Sequence, residues 1–509
     1  MGKIQSQIII ITAALLAVSC SRQTMSVEEL RVEHMENPSV VDATHPRLSW
    51  INVPKSQKAR GIKQTAYRIV VASSMENLKQ GTYDLWDSGK QLSEESDLIS
   101  YQGKTLPSAQ DCYWKVQTWD QDGKPTAWSK PSYWGMGLMN EDEWQAQWIA
   151  PLLGGPGAPL LRKHFDSKGQ IKQAKVFVCG LGYFELYVNG ERIGDDYLVP
   201  NMTDYTKRFD LEKGPIAISG NMSRHRVMYL AYDITKQIQE GRNALGVILG
   251  NGFYDAVNLN IPCSKFGDEC LRLQLQLTYA DGTTQTVISD NTWETKPSAI
   301  TLNGVHAGEI YNANLETPLW ATTEDNSQGW QRVKCIEGPT GMMTAHTAPT
   351  DKIVETLKPI SLHQREDGAW VVDFGKEISG WLHLHDLKGE KGDTVKVDYI
   401  SESVQGNMRY VMNGSGSEDY APRFTWFAFS KAVISGVKEL SMKNLTADVV
   451  NTHVEKTADF HTTDTLFNRI NEIWQRSQLD NMHGGIASDC PHRERLPYTG
   501  DGEAACATV

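Results

Sequence analysis

Alternation of apolar and polar residues with a period of two is the feature that most constrains the fold of this chain. Residues 271–277 alternate strictly, and residues 112–119 follow the same rhythm. Short runs of this kind, bounded by turn dipeptides such as Asn189-Gly190 and Asp281-Gly282, predict antiparallel strands with one buried face. The pattern therefore predicts a multidomain, mainly β protein built from β-sandwiches.

The strand-like runs fall into three ranges along the chain. A length of 509 residues suggests about three to four domains. Residues 27–140 are similar to a fibronectin type III sandwich, and residues 143–340 and 345–452 each read as a further β-sandwich. We therefore expect three consecutive β modules.

The hydrophobic period changes from two to that of a helix after Thr462. The apolar residues that repeat along one helical face are Leu466, Phe467, Ile470, Ile473 and Trp474. Thr463 or Asp464 can cap the start, and Gly484-Gly485 is expected to end the helix. Because a single amphipathic helix cannot bury its apolar face alone, residues 455–509 are expected to begin a helical domain within which the chain stops.

The N-terminus reads as an export signal. Lys3 precedes an almost wholly apolar run, residues 8–18, which is too short to span a membrane and suits a signal peptide over residues 1–20. The small residues before Cys20 resemble a bacterial lipoprotein signal, in which that cysteine is acylated, although a chance cysteine is the alternative. We expect an exported lipoprotein, periplasmic or at the cell surface, held to a membrane through Cys20.

The net charge and the tryptophan content indicate which classes of binding partner are expected. Lys and Arg number 50 against 62 Asp and Glu, which argues against a nucleic-acid partner. The 15 Trp residues outnumber the 12 Phe residues, which suits sugar-stacking surfaces, although packing in the cores of β-sandwiches is the favoured explanation.

A charged segment after the helix, residues 489–503, is the strongest candidate for chemistry. It holds two Asp, two Glu, two Arg and one His, and Pro491 and Pro497 disfavour a regular helix through it. It could be a solvated loop. The interleaved Cys490 and Leu496 instead suit a loop pressed against a core, where the pKa values of its charged groups would shift.

This segment resembles the signature loop of bacterial α-L-rhamnosidases of glycoside hydrolase family 78. The resemblance rests on residues 489–496 and 498–501, and residues 182–195, 250–254, 373–381 and 422–425 also resemble that family's β modules. It implies a jelly-roll-like module over 143–340, a concanavalin-like module over 345–452 and, from 455, the first part of a six-hairpin α/α toroid. The implied activity is inverting hydrolysis of terminal α-L-rhamnose from glycosides or polysaccharides.

The resemblance also implies roles for individual residues. Glu494 would be the general acid, and Asp489 and Asp501 would hold rhamnose hydroxyls. Arg493 would help to position the sugar or tune the carboxylates. Tyr498 stands where many members carry Trp, so a stacking contact there would be altered. Inversion needs a second carboxylate as base; no residue matches it, so the 509-residue chain alone is expected to have negligible activity.

Two other sites compete for the same residues. Asp489, Cys490, His492 and Cys506 match no standard zinc spacing, and Cys490 lacks a clear base beyond His492. Calcium is a further candidate cofactor, because oxygen donors of suitable hardness occur in the second module at Asp195, Asp196, Asn201 and Asn251, although Asp195-Asp196 also suits a plain turn. The alternative function is therefore a non-catalytic, rhamnose-binding lipoprotein.

Overall fold

A computed structural model describes residues 24–152, 154–203, 205, 226–255, 266–324, 328–401, 405–496 and 499–505. The predicted signal peptide with Cys20 lies outside the described residues, as does Tyr498. The described chain forms two compact units, residues 24–36, 45–104 and 112–133, and residues 37–44, 105–111 and 134–505.

The first unit is a small β-sandwich in which β6 alternates buried and half-buried residues, as its sequence predicts. Its strands form a three-stranded sheet, β1-β2-β5, and a four-stranded sheet, β4-β3-β6-β7, and one short helix, α1, begins at a Ser74 cap. The elements are β1 (Met25–Val32), β2 (Arg47–Pro54), β3 (Ala66–Ala72), α1 (Met75–Gln80), β4 (Trp86–Asp87), β5 (Ile99–Ser100), β6 (Asp111–Trp119) and β7 (Ser132–Gly135).

Fifteen strands follow in the second unit. They are β8 (Trp148–Ala150), β9 (Pro159–Ser167), β10 (Ile171–Leu181), β11 (Tyr183–Val188), β12 (Glu191–Ile193), β13 (Arg226–Asp233), β14 (Gly241–Gly250), β15 (Cys270–Tyr279), β16 (Thr284–Ile288), β17 (Glu294–Pro297), β18 (Ile300–Gly304), β19 (Gly308–Asn312), β20 (Gln331–Arg332), β21 (Lys334–Ile336) and β22 (Met342–Ala345). Short 3₁₀ helices occupy Glu141–Glu143, Ala313–Leu315 and, further on, Met442–Asn444.

Thirteen of these strands build the second module as two facing sheets. One sheet has the order β21-β8-β15-β10-β13-β22, with β16 also on β15, and the other has the order β12-β11-β14-β9-β17-β20. Val176 and Leu275 from the first sheet pack against Leu186 and Val247 from the second. The alternation of residues 271–277 thus does bury one face of β15.

Gly182 turns the chain from one sheet of this sandwich into the other. It joins β10 to β11 with a φ of 58°, and a Cβ there would lie 2.1 Å from the carbonyl oxygen of Gly250. Only glycine fits a positive φ with backbone so close. The Asn189-Gly190 hairpin is confirmed, because β11 pairs with β12 across it and both turn residues have positive φ.

The third module is one curved sheet whose core holds Trp381, Phe427 and Val397. Its own strands are β23 (Asp351–Leu357), β24 (Ser361–Gln364), β25 (Trp370–Leu387), β26 (Thr394–Ile400), β27 (Asn407–Val411), β28 (Glu418–Tyr420), β29 (Phe427–Ser435) and β30 (Leu445–Thr452). The strand order is β18-β19-β27-β26-β29-β25-β30-β23, and β24 and β28 also pair with β25.

Strand pairing crosses the sequence ranges assigned to these two modules. β18 and β19 lie within residues 143–340, yet β19 pairs in parallel with β27 of the third module. β22, which begins after that range, pairs in parallel with β13 of the second module. The second sequence range therefore supplies two strands to the sheet of the third module, and the second module itself extends beyond residue 340.

The helix predicted after Thr462 is present, but it ends earlier than predicted. It is α2 (Thr465–Asp480), and the Oδ1 atom of Asp464 accepts a hydrogen bond from the Leu466 amide at 2.8 Å. Gly484-Gly485 does not end it: both have positive φ and join β31 (Met482–His483) to β32 (Ile486–Ala487). A further helix, α3 (Thr499–Ala505), begins within the charged segment, residues 489–503.

The apolar face of α2 is exposed. The residues concerned are those that predicted the helix: Leu466, Phe467, Ile470, Ile473 and Trp474. Their exposure agrees with a helical domain of which the described residues form only the first elements. Within the described part of the chain, no helix combines the length and the apolar character needed to cross a bilayer.

Candidate active site

Arg495 seats the charged loop on the third module. Its side chain is buried, and its guanidinium donates to the carbonyl oxygens of Val305 and Trp426 and, at 3.0 Å, to Oε1 of Gln405. Burial lowers the pKa of Arg495 to about 9, so it keeps its positive charge at neutral pH. A buried cation bonded to three acceptors fixes this end of the loop.

His306 holds the main chain of the residue expected to act as the acid. Its Nε2 atom lies 3.0 Å from the carbonyl oxygen of Glu494, which can only accept, so Nε2 carries a proton and donates. Burial lowers the pKa of His306, and the charge of Arg495 lowers it further, so the ring is neutral at neutral pH. The Glu494 side chain itself stays 42% exposed.

Arg493 lies between two carboxylates. Its Nη2 atom is 3.5 Å from Oε1 of Glu494 and 3.6 Å from Oδ2 of Asp489. Because Arg493 is exposed and these distances are long, the ion pairs are weak and leave the three groups free to rearrange around a ligand. The structure therefore brings together three of the residues predicted for the site.

Asp489 has an acceptor available for a ligand. Its Oδ2 atom accepts a hydrogen bond from Cys490 Sγ at 3.2 Å, whereas Oδ1 is buried and has no hydrogen-bond partner among the described atoms. An unsatisfied carboxylate oxygen costs free energy until a donor reaches it. A sugar hydroxyl is such a donor.

Asp501 lies on a different element from the other site residues. It occupies the first turn of α3 and is half-buried, so the predicted loop becomes helical before it ends. α3 packs against β32, which immediately precedes the charged loop. Asp501 therefore belongs to the same region of the fold as Asp489, on the far side of the undescribed residues 497–498.

Sequence reasoning missed the residues that hold the loop in place. Arg495 lies inside the signature loop, but no role was predicted for it. Cys490 and Leu496 nearby were the sequence sign that this part of the loop contacts a core. His306 contacts the loop from 188 residues upstream. No local pattern marks such a partner.

Two of the calcium candidates of the second module, Asp195 and Asp196, have other partners. Asp195 forms an ion pair with Lys352 at 2.7 Å, and Asp196 accepts hydrogen bonds from Tyr232 and Thr350. Asn201 and Asn251 are buried, and their side-chain oxygens have no hydrogen-bond partner among the described atoms. Across the described residues, no three His, Cys, Asp or Glu side chains lie close enough to share a metal ion, and Cys506 lies outside them.

A cleft of about 440 Å³ lies away from this loop, on the second module. Glu269, Lys296 and Thr301 are among the residues that line it. No residue predicted for the site lines this cleft, so the chemistry of the loop gives it no role.

Family comparisons cover most of the chain. Four sequence models match in order: the Rha78A-like N-terminal immunoglobulin domain at residues 27–140, the α-L-rhamnosidase N-terminal domain at 169–216 and 221–355, the bacterial α-L-rhamnosidase concanavalin-like domain at 363–451, and its six-hairpin glycosidase domain at 455–509. The charged loop lies within the last match.

Curated relatives and solved structures agree. An α-L-rhamnosidase of Formosa agariphila is 31% identical over 97% of this chain and 55% of its own length. The α-L-rhamnosidase structure from "Dictyoglumus thermophilum" has a TM-score of 0.84 at 32% identity over 94% of this chain and 55% of that one. The Streptomyces avermitilis enzyme complexed with L-rhamnose shares the fold, with a TM-score of 0.83 at 23% identity over 94% and 62%.

The chain spans about half the length of the curated relatives it matches. The matched sequence models and solved structures nevertheless cover nearly all of this chain. The chain belongs to the bacterial α-L-rhamnosidase family, glycoside hydrolase family 78.

Proposed function

We propose that the protein is an α-L-rhamnosidase that removes terminal α-L-rhamnose from a glycoside or glycan with inversion of configuration. The observation that supports this best is the cluster of Asp489, Arg493 and Glu494 on a loop that Arg495 fixes to the third module. It supplies an exposed acid, a cation and an unsatisfied acceptor at one place.

Glu494 is the proposed general acid. Its carboxyl group is exposed enough to reach a glycosidic oxygen, and protonation of that oxygen lets the aglycone leave as an alcohol. The Glu494 carboxylate that results lies beside Arg493, whose positive charge stabilises it. The general base is a second carboxylate at ~6.5–9.5 Å, and we assign it to no described residue.

Sugar binding is proposed for the neighbouring polar groups. The Oδ1 atom of Asp489, which has no partner among the described residues, accepts a rhamnose hydroxyl, and Asp501, on α3, accepts another. Arg493 donates to ring or hydroxyl oxygens of the sugar. The substrate class is therefore a rhamnose-terminated glycan or glycoside.

The acid role is tested by varying the leaving group. In the full-length protein, Glu494→Gln should lower kcat on an alkyl α-L-rhamnoside by about 10²–10⁴-fold, because a poor leaving group needs protonation. On 2,4-dinitrophenyl α-L-rhamnoside, whose leaving group needs no proton, the loss should be much smaller. Glu439→Gln, at an exposed position of the third module, is the matched control.

Two results would contradict this proposal. Equal losses on both substrates would show that Glu494 is not the acid, and absence of turnover by the unaltered full-length protein would remove the proposed activity. The anomer released first, read by proton NMR, separates inversion from retention.

We also propose that the protein is exported and anchored through Cys20. The apolar run of residues 8–18 and the small residues before Cys20 support this. In the native bacterium, the protein should incorporate labelled fatty acid and partition with membranes, and Cys20→Ser should abolish both. A soluble, unlabelled protein would contradict the anchor.

A further inference from the structure

The short hairpin before the charged loop is anchored by a buried histidine. The Nδ1 atom of His483 lies 2.7 Å from Oδ2 of Asp351, and its Nε2 atom lies 2.6 Å from Oγ of Ser379. The imidazole stacks on Trp426 with a centroid distance of 4.2 Å. Because a carboxylate accepts only, Nδ1 carries a proton and donates to Asp351, and in the neutral ring Nε2 is then the acceptor for the serine hydroxyl.

Adjacent strands of the third module supply the partners. Ser379, Thr452 and Asp351 lie on β25, β30 and β23, which are neighbours in that order. Oδ1 of Asp351 accepts from the Gly484 amide at 3.0 Å and from Thr452 Oγ1 at 2.8 Å, and Thr452 Oγ1 accepts from the Gly485 amide at 3.0 Å. The hairpin turn is thus bonded to the sheet through its backbone.

This Ser–His–Asp order is not a nucleophile for hydrolysis. Ser379 is fully buried within β25, and its amide donates to Oδ1 of Asp480. The cavity beside His483, also lined by Asn201 and Arg495, has a volume of about 30 Å³. That space holds a water molecule or two but no ester.

Trp426 joins both ends of the charged loop. His483 stacks on its ring before the loop, and after the loop the Arg495 guanidinium lies 5.5 Å from the ring centroid and donates to the Trp426 carbonyl oxygen. Residues 489–494 therefore span two attachment points on the third module. Each attachment reduces the conformations open to the loop.

We infer that Asp351, His483 and Ser379 form a positioning unit that holds the Asp489–Glu494 loop in its working geometry. The inference deepens the proposed function, on which it rests, by assigning part of the acid's placement to a β module outside the helical domain. The three residues act through the loop and touch no substrate.

Amide hydrogen exchange of this chain tests the attachment directly. His483→Phe keeps an aromatic ring to stack on Trp426 but loses both nitrogens, and should speed exchange of amides in residues 481–496 by about 10–100-fold, with β26 and β29 unchanged. His483→Asn keeps a donor toward Asp351 and should restore part of the protection. His461→Gln, at an exposed histidine before α2, should change nothing.

Two further measurements keep the inference testable if His483→Phe does not fold. Ser379→Ala removes one hydroxyl and should give a smaller rise in exchange confined to the same segment. Nitrogen NMR of the unaltered chain should show His483 as the Nδ1–H tautomer. Unchanged exchange in 481–496, a rise spread evenly over the third module, or the Nε2–H tautomer would each overturn the positioning unit.

Kinetics of the full-length protein separate positioning from mere stability. Ser379→Ala and His483→Asn should lower kcat on an alkyl rhamnoside by at least about tenfold with KM within about threefold, and should affect the dinitrophenyl substrate less. If amide exchange in residues 481–496 rises in these variants while kcat is unchanged, His483 and Ser379 attach the hairpin but do not position the acid. If the unaltered protein has no rhamnosidase activity, the proposed function fails, and exchange alone still decides whether the hairpin is attached.

Discussion

Asp480 provides a sharp test of the electrostatics at the junction between α2 and the third module. It is the last residue of α2, it is buried, and its Oδ1 atom accepts from the Ser379 amide at 3.0 Å. Burial raises its pKa to about 7 and the nearby Glu377 adds to this, although the Ser379 bond, Arg476 and Lys376 oppose it. Asp480→Asn keeps an acceptor for the amide and removes the charge.

The sign of the pH effect follows from the raised pKa. Between pH ~4, where the carboxyl titrates in the unfolded chain, and pH 7, the folded protein binds more protons, so the free energy of unfolding falls as pH rises. Raising the pKa of Asp480 from its ordinary value to about 7 corresponds to a free energy of ~4 kcal/mol, of which ~2–3 kcal/mol is lost between pH 5 and pH 8. The asparagine variant avoids this loss, so its stability relative to the parent should rise over that interval.

The assay is scanning calorimetry at pH 5 and pH 8, following the transition that contains the third module, because a chain of several modules need not unfold in one step. The difference in unfolding free energy between Asp480→Asn and the parent should shift in favour of the variant by ~2–3 kcal/mol. Glu472→Gln, on an exposed part of the same helix, should give a difference that changes little between pH 5 and pH 8, because the hydrogen bond from Arg469 lowers the pKa of Glu472 and keeps its titration below that interval. A pH-independent or reversed difference for Asp480→Asn would refute the reasoning.

Three further predictions concern the loop, the sheet corner and the helix. Arg495→Met, measured by calorimetry, should cost ~2–4 kcal/mol because it removes the guanidinium's buried hydrogen bonds to the carbonyl oxygens of Val305 and Trp426 and to Gln405, whereas the exposed Arg493→Met should cost under ~0.5 kcal/mol; equal losses would contradict the seating of the loop. Gly182→Ala should prevent folding of the second module, seen as lost soluble yield, while Gly241→Ala, with positive φ but open space around it, should cost only ~1–2 kcal/mol in thermal melts; an equal effect would show that the Gly250 carbonyl is not the obstacle. Ile470→Glu should leave the melting temperature of this chain almost unchanged because the side chain is exposed, yet should destabilise the full-length protein if further helices of the toroid cover that face; harmlessness in both would rule out such a contact.

Features set by neighbouring residues could be predicted from the sequence. The strict alternation over residues 271–277 became β15, and Asp464 caps α2 as its position before the helical repeat indicated. Both depend on local geometry, the period of two of a strand and the free amides of a first helical turn. The Asp489–Glu494 loop was found for another reason, its resemblance to a known signature.

Features set by distant partners could not be predicted. β25 runs unbroken from Trp370 to Leu387, through an irregularity after Asp373, because it pairs with β29 over its first part and with β30 over its second. Gly484-Gly485 reads as a helix stop, but partners on β23 and β30 turn it into a hairpin. Since Asp351 is 132 residues from His483, no spacing rule reaches it.

Strands from the second sequence range pair in the sheet of the third module, and this limits where the protein can be cut into separate domains. A gene fragment that begins at residue 345 encodes the third module without β18 and β19, so the edge of β27 that β19 covers would present unpaired backbone groups and invite aggregation. A fragment that ends at residue 340 leaves β13 without β22. Recombination during evolution, and protein engineering likewise, can therefore move the second and third modules only as a single unit, which runs from the start of the second module to the end of β30.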